Sequence, residues 1–297
     1  MRTFTIIIGL IIALVSVSKA QGLETGHYGY AINGMRSAHA PAPGFSLTNI
    51  SHIYNASQVR MENGEVHEMG KSVMAFANIT LLTYVHDKPV LGGKYFAAAG
   101  VPIANLALNP SNFSLNEQQV GIGDMIVFPA ALSWTFDRMA LTARIGFFAP
   151  TGRYKAGASN NLGKGYFSHF YTLGGTFYFG KDNRFHFTGM NTYQLSSRQA
   201  GTGITAGNTN TFEWGLGVTF EKRFNVGLVG FHQYQTTPQK GGPEVLRKMF
   251  HQQHGIGWGM SYATTEKFSF AIRSYWEMMA ANRPQGNAFR LIVNYNF

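Results

Sequence analysis

The 297-residue chain contains no cysteine. That excludes disulfide scaffolds, thiolate metal sites and thiol nucleophiles together. Charge is also scarce: 13% of residues are charged, against roughly 25% in an average soluble protein. Acids are the rarer sign, 14 against 24 basic residues, which gives a net charge of +10. Long apolar runs are missing except at the start, where Ile6 to Val17 follows the basic Arg2. Ser18-Lys19-Ala20 then ends on a small residue, the form of an export signal cleaved after Ala20. The run is shorter than the ~20 residues of a membrane-anchoring helix. Residues 1–20 therefore read as a signal peptide. Without Arg2 and Lys19, the +10 charge becomes +8, spread one or two residues per loop. Export and this dispersal argue against nucleic acid and favour an acidic lipopolysaccharide surface.

What the chain has instead is aromatic residues (14%), 35 glycines and a period of two. In the last segment Phe289, Leu291, Val293, Tyr295 and Phe297 share one face, and Ala288, Arg290, Ile292, Asn294 and Asn296 the other. The segment before it sets Phe268, Phe270, Ile272, Trp276 and Met278 against Ser269, Arg273, Tyr275 and Glu277. Arg and Glu inside a strand rarely face lipid, so the polar face should line a lumen. Twelve strands are predicted: 45–56, 71–85, 92–106, 121–135, 138–149, 166–180, 184–197, 210–221, 224–236, 252–264, 267–279 and 286–297. Short connections alternate with long ones at 57–70, 107–120, 150–165, 198–209, 237–251 and 280–285. Two loop classes and an even count fit an outer-membrane barrel, whereas nothing would sort the loops of a soluble sandwich in this way.

The fold class is thus all-β: a single transmembrane, antiparallel up-and-down barrel of about 12 strands over residues 45–297. Residues 21–44, around Ala38-His39-Ala40-Pro41-Ala42-Pro43-Gly44, show no apolar period and form an irregular N-terminal segment. It could hang free as a tail, the commoner arrangement, or fold into the lumen as a small plug. Asp124 and Pro129 do not both fit a regular fourth strand, so a bulge is expected there.

Several runs carry a family resemblance. These are Gly146-Phe147-Phe148-Ala149-Pro150-Thr151-Gly152-Arg153-Tyr154, Asn161-Leu162-Gly163, Gly165-Tyr166 and Leu173-Gly174-Gly175-Thr176-Phe177-Tyr178. Gly121-Ile122-Gly123-Asp124 and Gly230-Phe231-His232-Gln233-Tyr234-Gln235 complete the set. In order and spacing the chain resembles the meta-pathway phenol degradation proteins, over most of its length after residue 20. The resemblance implies an outer-membrane barrel, distantly akin to long-chain fatty-acid and toluene channels, that takes up small hydrophobic or aromatic molecules. The chain departs from the usual acidic pattern after the Tyr-x-Gln stretch, since Thr236-Thr237-Pro238 holds no Asp.

An enzyme reading is weaker. Ser168 and His169 are adjacent, so on one strand their side chains face opposite ways and cannot pair. The His-x-Ser-Asn-Gly pattern of outer-membrane phospholipases is absent. His251 and His254 form a His-x-x-His in a predicted loop, where a solvated pair is expected in place of a metal site. Gly255, Gly257 and Gly259 alternate with Ile256, Trp258 and Met260, and read as small inward residues opposite bulky outward ones. No cofactor or metal is expected. Beyond the lipids and the solutes, the one partner expected is the barrel-assembly machinery, which would read a terminal strand ending on Phe297.

The candidate site is the inward face. The same phase turns Phe148, Phe170, Tyr178, Phe231 and Tyr275 inward, either as an apolar slide for substrates or as packing that fills a narrow lumen. Arg144, Arg273, Arg290, Glu213 and Glu277 also face in, as a salt-bridge network or, less simply, as substrate-steering groups. The expected function is passive uptake of small hydrophobic or aromatic compounds across the outer membrane. A closed structural or surface-interaction barrel is the alternative, with an outer-membrane hydrolase behind it.

Overall fold

Alternating apolar and polar residues can bury one face only if the sheet finds a second environment for the other, and here it closes on itself. The computed structural model describes residues 25–108, 118–158 and 160–297. The expected signal peptide lies outside the described residues, as does most of the connection expected at 107–120. The wall is built from β1 (Gly44–Arg60), β2 (Val66–Val90), β3 (Gly93–Leu108), β4 (Gln118–Ile122), β5 (Met125–Thr135), β6 (Met139–Ala149) and β7 (Ser168–Phe179). It continues with β8 (Phe185–Ser196), β9 (Thr209–Phe220), β10 (Phe224–Gln235), β11 (Gln252–Ala263), β12 (Phe268–Ala281) and β13 (Arg283–Asn296). Every neighbour in the sheet is antiparallel, and β13 returns to β1 from Ser46↔Asn296 to Arg60↔Arg283. That last ladder removes both edges, the condition for a sheet in lipid.

β4 and β5 occupy one place in the wall, because both pair with β3, through Ile103↔Ile122 and Gly100↔Ile126. The barrel is therefore twelve-stranded, its fourth strand interrupted at Gly123-Asp124. The expected irregularity at Pro129 is also present. On one side Phe96 pairs with Ala131 and Ala98 with Phe128, and on the other Val127 pairs with Phe147 and Ala130 with Ile145. β5 thus carries an extra residue against both neighbours, a bulge that accommodates a residue with no N–H to donate.

Two of the long connections expected from sequence are absent. β1 and β2 run on to Arg60 and from Val66, leaving a turn at 61–65, and β12 and β13 are separated by Asn282 alone. Pro284, inside the connection expected at 280–285, sits within the paired part of β13, opposite Val59. The predicted strands 71–85 and 92–106 leave a short connection at His86-Asp87-Lys88-Pro89, and this also moves. The turn is Leu91-Gly92, both at positive φ, and residues 86–88 form a bulge before Pro89↔Lys94. Long connections remain at 150–167, 197–208 and 236–251 on one end; the tight turns at 136–138, 180–184 and 221–223 mark the other.

Outward residues form a belt of exposed apolar side chains, including Leu47, Phe177, Leu216, Leu228, Trp276 and Phe289. The opposite face is not an open pore. Residues 25–43 fold into the lumen, with Tyr28, Tyr30, Ala31, Asn33 and Ala38 buried, so the free tail expected from sequence is replaced by a lumenal plug. His27 sits by Ser168 and Asp124 at the long-loop end, while His39 meets Tyr178 near the short turns. The segment runs the height of the barrel before β1 begins.

Candidate functional site

The lumen is organised by how the wall holds this segment. A backbone without regular structure carries unpaired N–H and C=O groups that must find partners when buried. The inward charges supply them. Arg144 donates to Asn33 Oδ1 (3.1 Å) and to the Ser37 carbonyl, and Arg290 donates to the Tyr30 carbonyl at 2.6 Å. Arg273 reaches the carbonyls of Ala31 and Ile32, both at 3.3 Å. The glutamates take the opposite role. Glu213 accepts from Tyr28 Oη (2.8 Å), from the Asn33 backbone N–H (3.1 Å) and from Asn33 Nδ2 (2.7 Å). Glu277 accepts from Tyr30 Oη, from Tyr54 Oη at 3.0 Å and from the Gly286 N–H at 2.6 Å.

The salt-bridge network expected among these five residues does not form. None of the ion pairs among the described residues includes Arg144, Arg273 or Arg290. The N-terminal segment intervenes between the opposite charges, Asn33 accepting from Arg144 and donating to Glu213. Its own aromatics fill what remains: Tyr30 stacks on Phe231 at 3.7 Å between centroids and meets Tyr275 edge-on, and Tyr28 packs against Phe170. Glycines leave the room. A Cβ on Gly255 would collide with the Phe231 ring, and one on Gly217 would lie 2.7 Å from Met35 Sδ.

The inward phase read from sequence therefore holds for Phe170, Phe231 and Tyr275, which are fully buried. Tyr178 closes the short-turn end, bonded to Arg36 and His39. Burial, then Arg36 and Lys94, pulls the His39 pKa down to about 4, so the ring stays neutral there. Tyr178 also borders an open hollow of about 770 Å3 among the short turns, and Phe148 borders open space deeper in the lumen. That space is a cavity of about 340 Å3 beside the N-terminal segment. His27, Asp124 and Phe148 border it at the long-loop end, and Thr48, Thr83 and Phe96 towards the short turns. Apolar side chains such as Ile50, Leu81, Ala98 and Ile126 make most of its wall, with Arg144 and Arg290 at mid-height.

One constellation escaped the sequence reading. His27 bonds through Nδ1 to Ser168 Oγ and through Nε2 to Asp124 Oδ2, both at 2.7 Å. Ser168 does avoid its neighbour His169, but it finds a histidine 141 residues away, a separation no local pattern reveals. The grouping resembles a hydrolytic triad in its members. Its surroundings point to a fastening instead: Ser168 is wholly buried, Asp124 also accepts from the Gly152 and Lys164 N–H groups, and His27 stacks on Phe148. The His-x-x-His pair is likewise not a solvated loop pair. His251 is buried with neither ring nitrogen partnered among the described residues, whereas His254 lies in β11 and bonds His232 at 2.9 Å. Among the described residues no group of three or more His, Asp or Glu could hold a metal.

Known structures show the same fold. The COG4313 outer membrane channel from Pseudomonas putida F1 superposes with a TM-score of 0.76 at 12% identity, over 88% of this chain and 98% of that one. The β domain of the Bordetella autotransporter BrkA gives 0.51 at 11% identity, over 86% and 100%. No curated protein sequence matches the chain significantly. The family described as "Putative MetA-pathway of phenol degradation" matches residues 56–292, nearly the whole wall. The chain belongs to this phenol-degradation family, as its Gly- and aromatic-rich motifs imply.

Proposed function

We propose that the protein is an outer-membrane channel through which small hydrophobic or aromatic molecules pass along the cavity beside the N-terminal segment. The observation that carries this is the cavity itself. It is about 340 Å3, within the range of roughly 300–1,000 Å3 typical of small-molecule sites, and apolar along most of its height. Phe170, Phe231 and Tyr275 line no such space, so they serve to seat the N-terminal segment, and the route lies between that segment and β1, β2, β3 and β5. An apolar lining favours an apolar solute because both leave water. Family membership agrees with aromatic compounds as the cargo, and the barrel fold with an outer-membrane location. His27 and Asp124 border the route at its long-loop end, where with Ser168 they act as a fastening for the N-terminal segment.

The test uses intact cells, because phospholipid bilayers alone pass such solutes. Ala98 borders the cavity, and Ala98→Trp would fill it. Cells making the wild-type protein should accumulate the fluorescent probe N-phenyl-1-naphthylamine faster than cells lacking it, and A98W should abolish the difference. Equal rates for wild type and A98W would reject the cavity as the route and leave a closed structural barrel.

A further inference from the structure

We infer that the cavity is built for an amphipathic anion: a small molecule with an apolar body and a carboxylate or similar oxyanion head, the head seated between Arg144 and Arg290. This rests on the reading of the cavity as a substrate route and narrows it to one chemical class. Both guanidiniums border the cavity, and both are tied only to neutral acceptors. Arg144 donates to Thr142 Oγ1, Asn33 Oδ1 and the Ser37 carbonyl. Arg290 donates to His52 Nδ1 and the Tyr30 carbonyl. A guanidinium carries five N–H donors, so each has donors to spare.

One acid, Glu213, is near enough to act electrostatically on both, so two guanidiniums share a single counter-charge. Glu213 and Glu277 are saturated by tyrosine hydroxyls and amide groups. Asp124, the acid bordering the cavity, is held by His27 and two backbone N–H groups. A charge withdrawn from water without a counter-charge of its own is costly, and an anionic ligand would balance the second guanidinium. His52 adds to the case. Because its Nδ1 accepts from Arg290, the neutral ring carries its proton on Nε2, and His52 borders the same cavity.

Position agrees with chemistry. Arg144 lies four residues along β6 from Phe148, on the same face and roughly 13 Å further along the strand towards the short turns. Apolar lining continues beyond it to Phe96. A solute entering from the long-loop end would thus pass the paired His27 and Asp124, then apolar wall, and meet the two arginines midway. The volume suits one aromatic ring with a short chain.

The full chain, in phosphatidylcholine nanodiscs at about pH 8 where a carboxylic acid is ionised, is tested by equilibrium dialysis. The probes are 4-butylbenzoate and 4-butylbenzyl alcohol, with uptake by empty nanodiscs subtracted. The wild type should bind the carboxylate about tenfold more tightly than the alcohol. Arg290→Gln and Arg144→Gln should each remove most of that preference while leaving alcohol binding in place, and Arg290→Lys should keep it. The wild-type comparison needs no variant, so it stands even if a substitution fails to fold. Equal binding of the two probes by the wild type would overturn the anion site and spare the apolar route. Binding of neither would overturn the route as well. A preference that survives in both glutamine variants would also reject the site.

Discussion

Single residues in this lumen act through what they withhold from water. Tyr30 stacks on Phe231 and donates its hydroxyl to Glu277, so Tyr30→Ala removes an aromatic contact and leaves a carboxylate short of a donor. Losses of large buried aromatics run to about 3–5 kcal/mol, and here they fall on the N-terminal segment while the wall ladders stay intact. The expected result is faster hydrogen exchange over residues 25–43 with little change in exchange of β9 to β11. His251 gives a pH prediction. Burial, then Arg283 and Lys164, lowers its pKa from 6.5 to about 3. Above pH 6.5 the ring is neutral whether the loop is closed or open, so pH has no effect through it. As pH falls below 6.5 the open form gains a proton that the closed form refuses until about pH 3, and the closed form weakens across that window. The opening of residues 236–251, read as amide exchange divided by the intrinsic rate at each pH, should therefore rise on acidification, and His251→Leu should flatten the rise; an unchanged pH profile in the variant would show that another group is responsible. The phase of each strand made the inward side chains legible from sequence, Gly255 included. What they touch was not legible, because Tyr30 and Phe231 are two hundred residues apart and neither strand pattern mentions the other.

At the scale of elements the sequence spoke clearly where a period existed. All twelve wall positions appear close to where alternation places them, and Pro129 marks its bulge. The errors came from turn-forming residues that the sheet absorbs: Pro284 pairs with Val59, and Asp87 lies in a bulge of β2. Residues 25–43 had no period to read, since their order comes from contacts with β5, β6, β8, β9, β12 and β13 and not from neighbours in sequence. This gives a prediction for the element as a unit. The wall closes through its own ladders, so a chain lacking residues 25–43 should still fold as a heat-modifiable barrel. It should also leave Arg144, Arg273 and Arg290 facing an open lumen. Liposome swelling with small polar solutes should then be much faster than for the intact chain, and faster for anions than for cations of equal size. Unchanged swelling would mean that the segment does not occlude the barrel.

For the molecule as a whole the decisive contact is the seam between β1 and β13, which joins the chain's beginning to its end. The seam reaches the last residue: the Phe297 N–H donates to the Phe45 carbonyl at 3.0 Å, and its ring meets Tyr295 edge-on while remaining 66% exposed on the outer surface. Two roles can be separated by size. As a contact in the finished barrel, Phe297 contributes one backbone hydrogen bond, about 1 kcal/mol net, and one lipid-facing ring, at most about 1.5–3 kcal/mol if fully covered. A wall joined by twelve ladders should tolerate that loss. As a terminal signal for barrel assembly, however, the same ring would act before the seam exists, when no other ladder can compensate for it. Deleting Phe297 is therefore expected to lower the amount of folded protein in the outer membrane several-fold, while the unfolding temperature of the barrels that do form falls by only a few degrees. Measuring both on the same preparation distinguishes the roles. A normal yield with a reduced unfolding temperature would assign Phe297 to the seam alone, whereas a low yield of fully stable barrels would assign it to assembly.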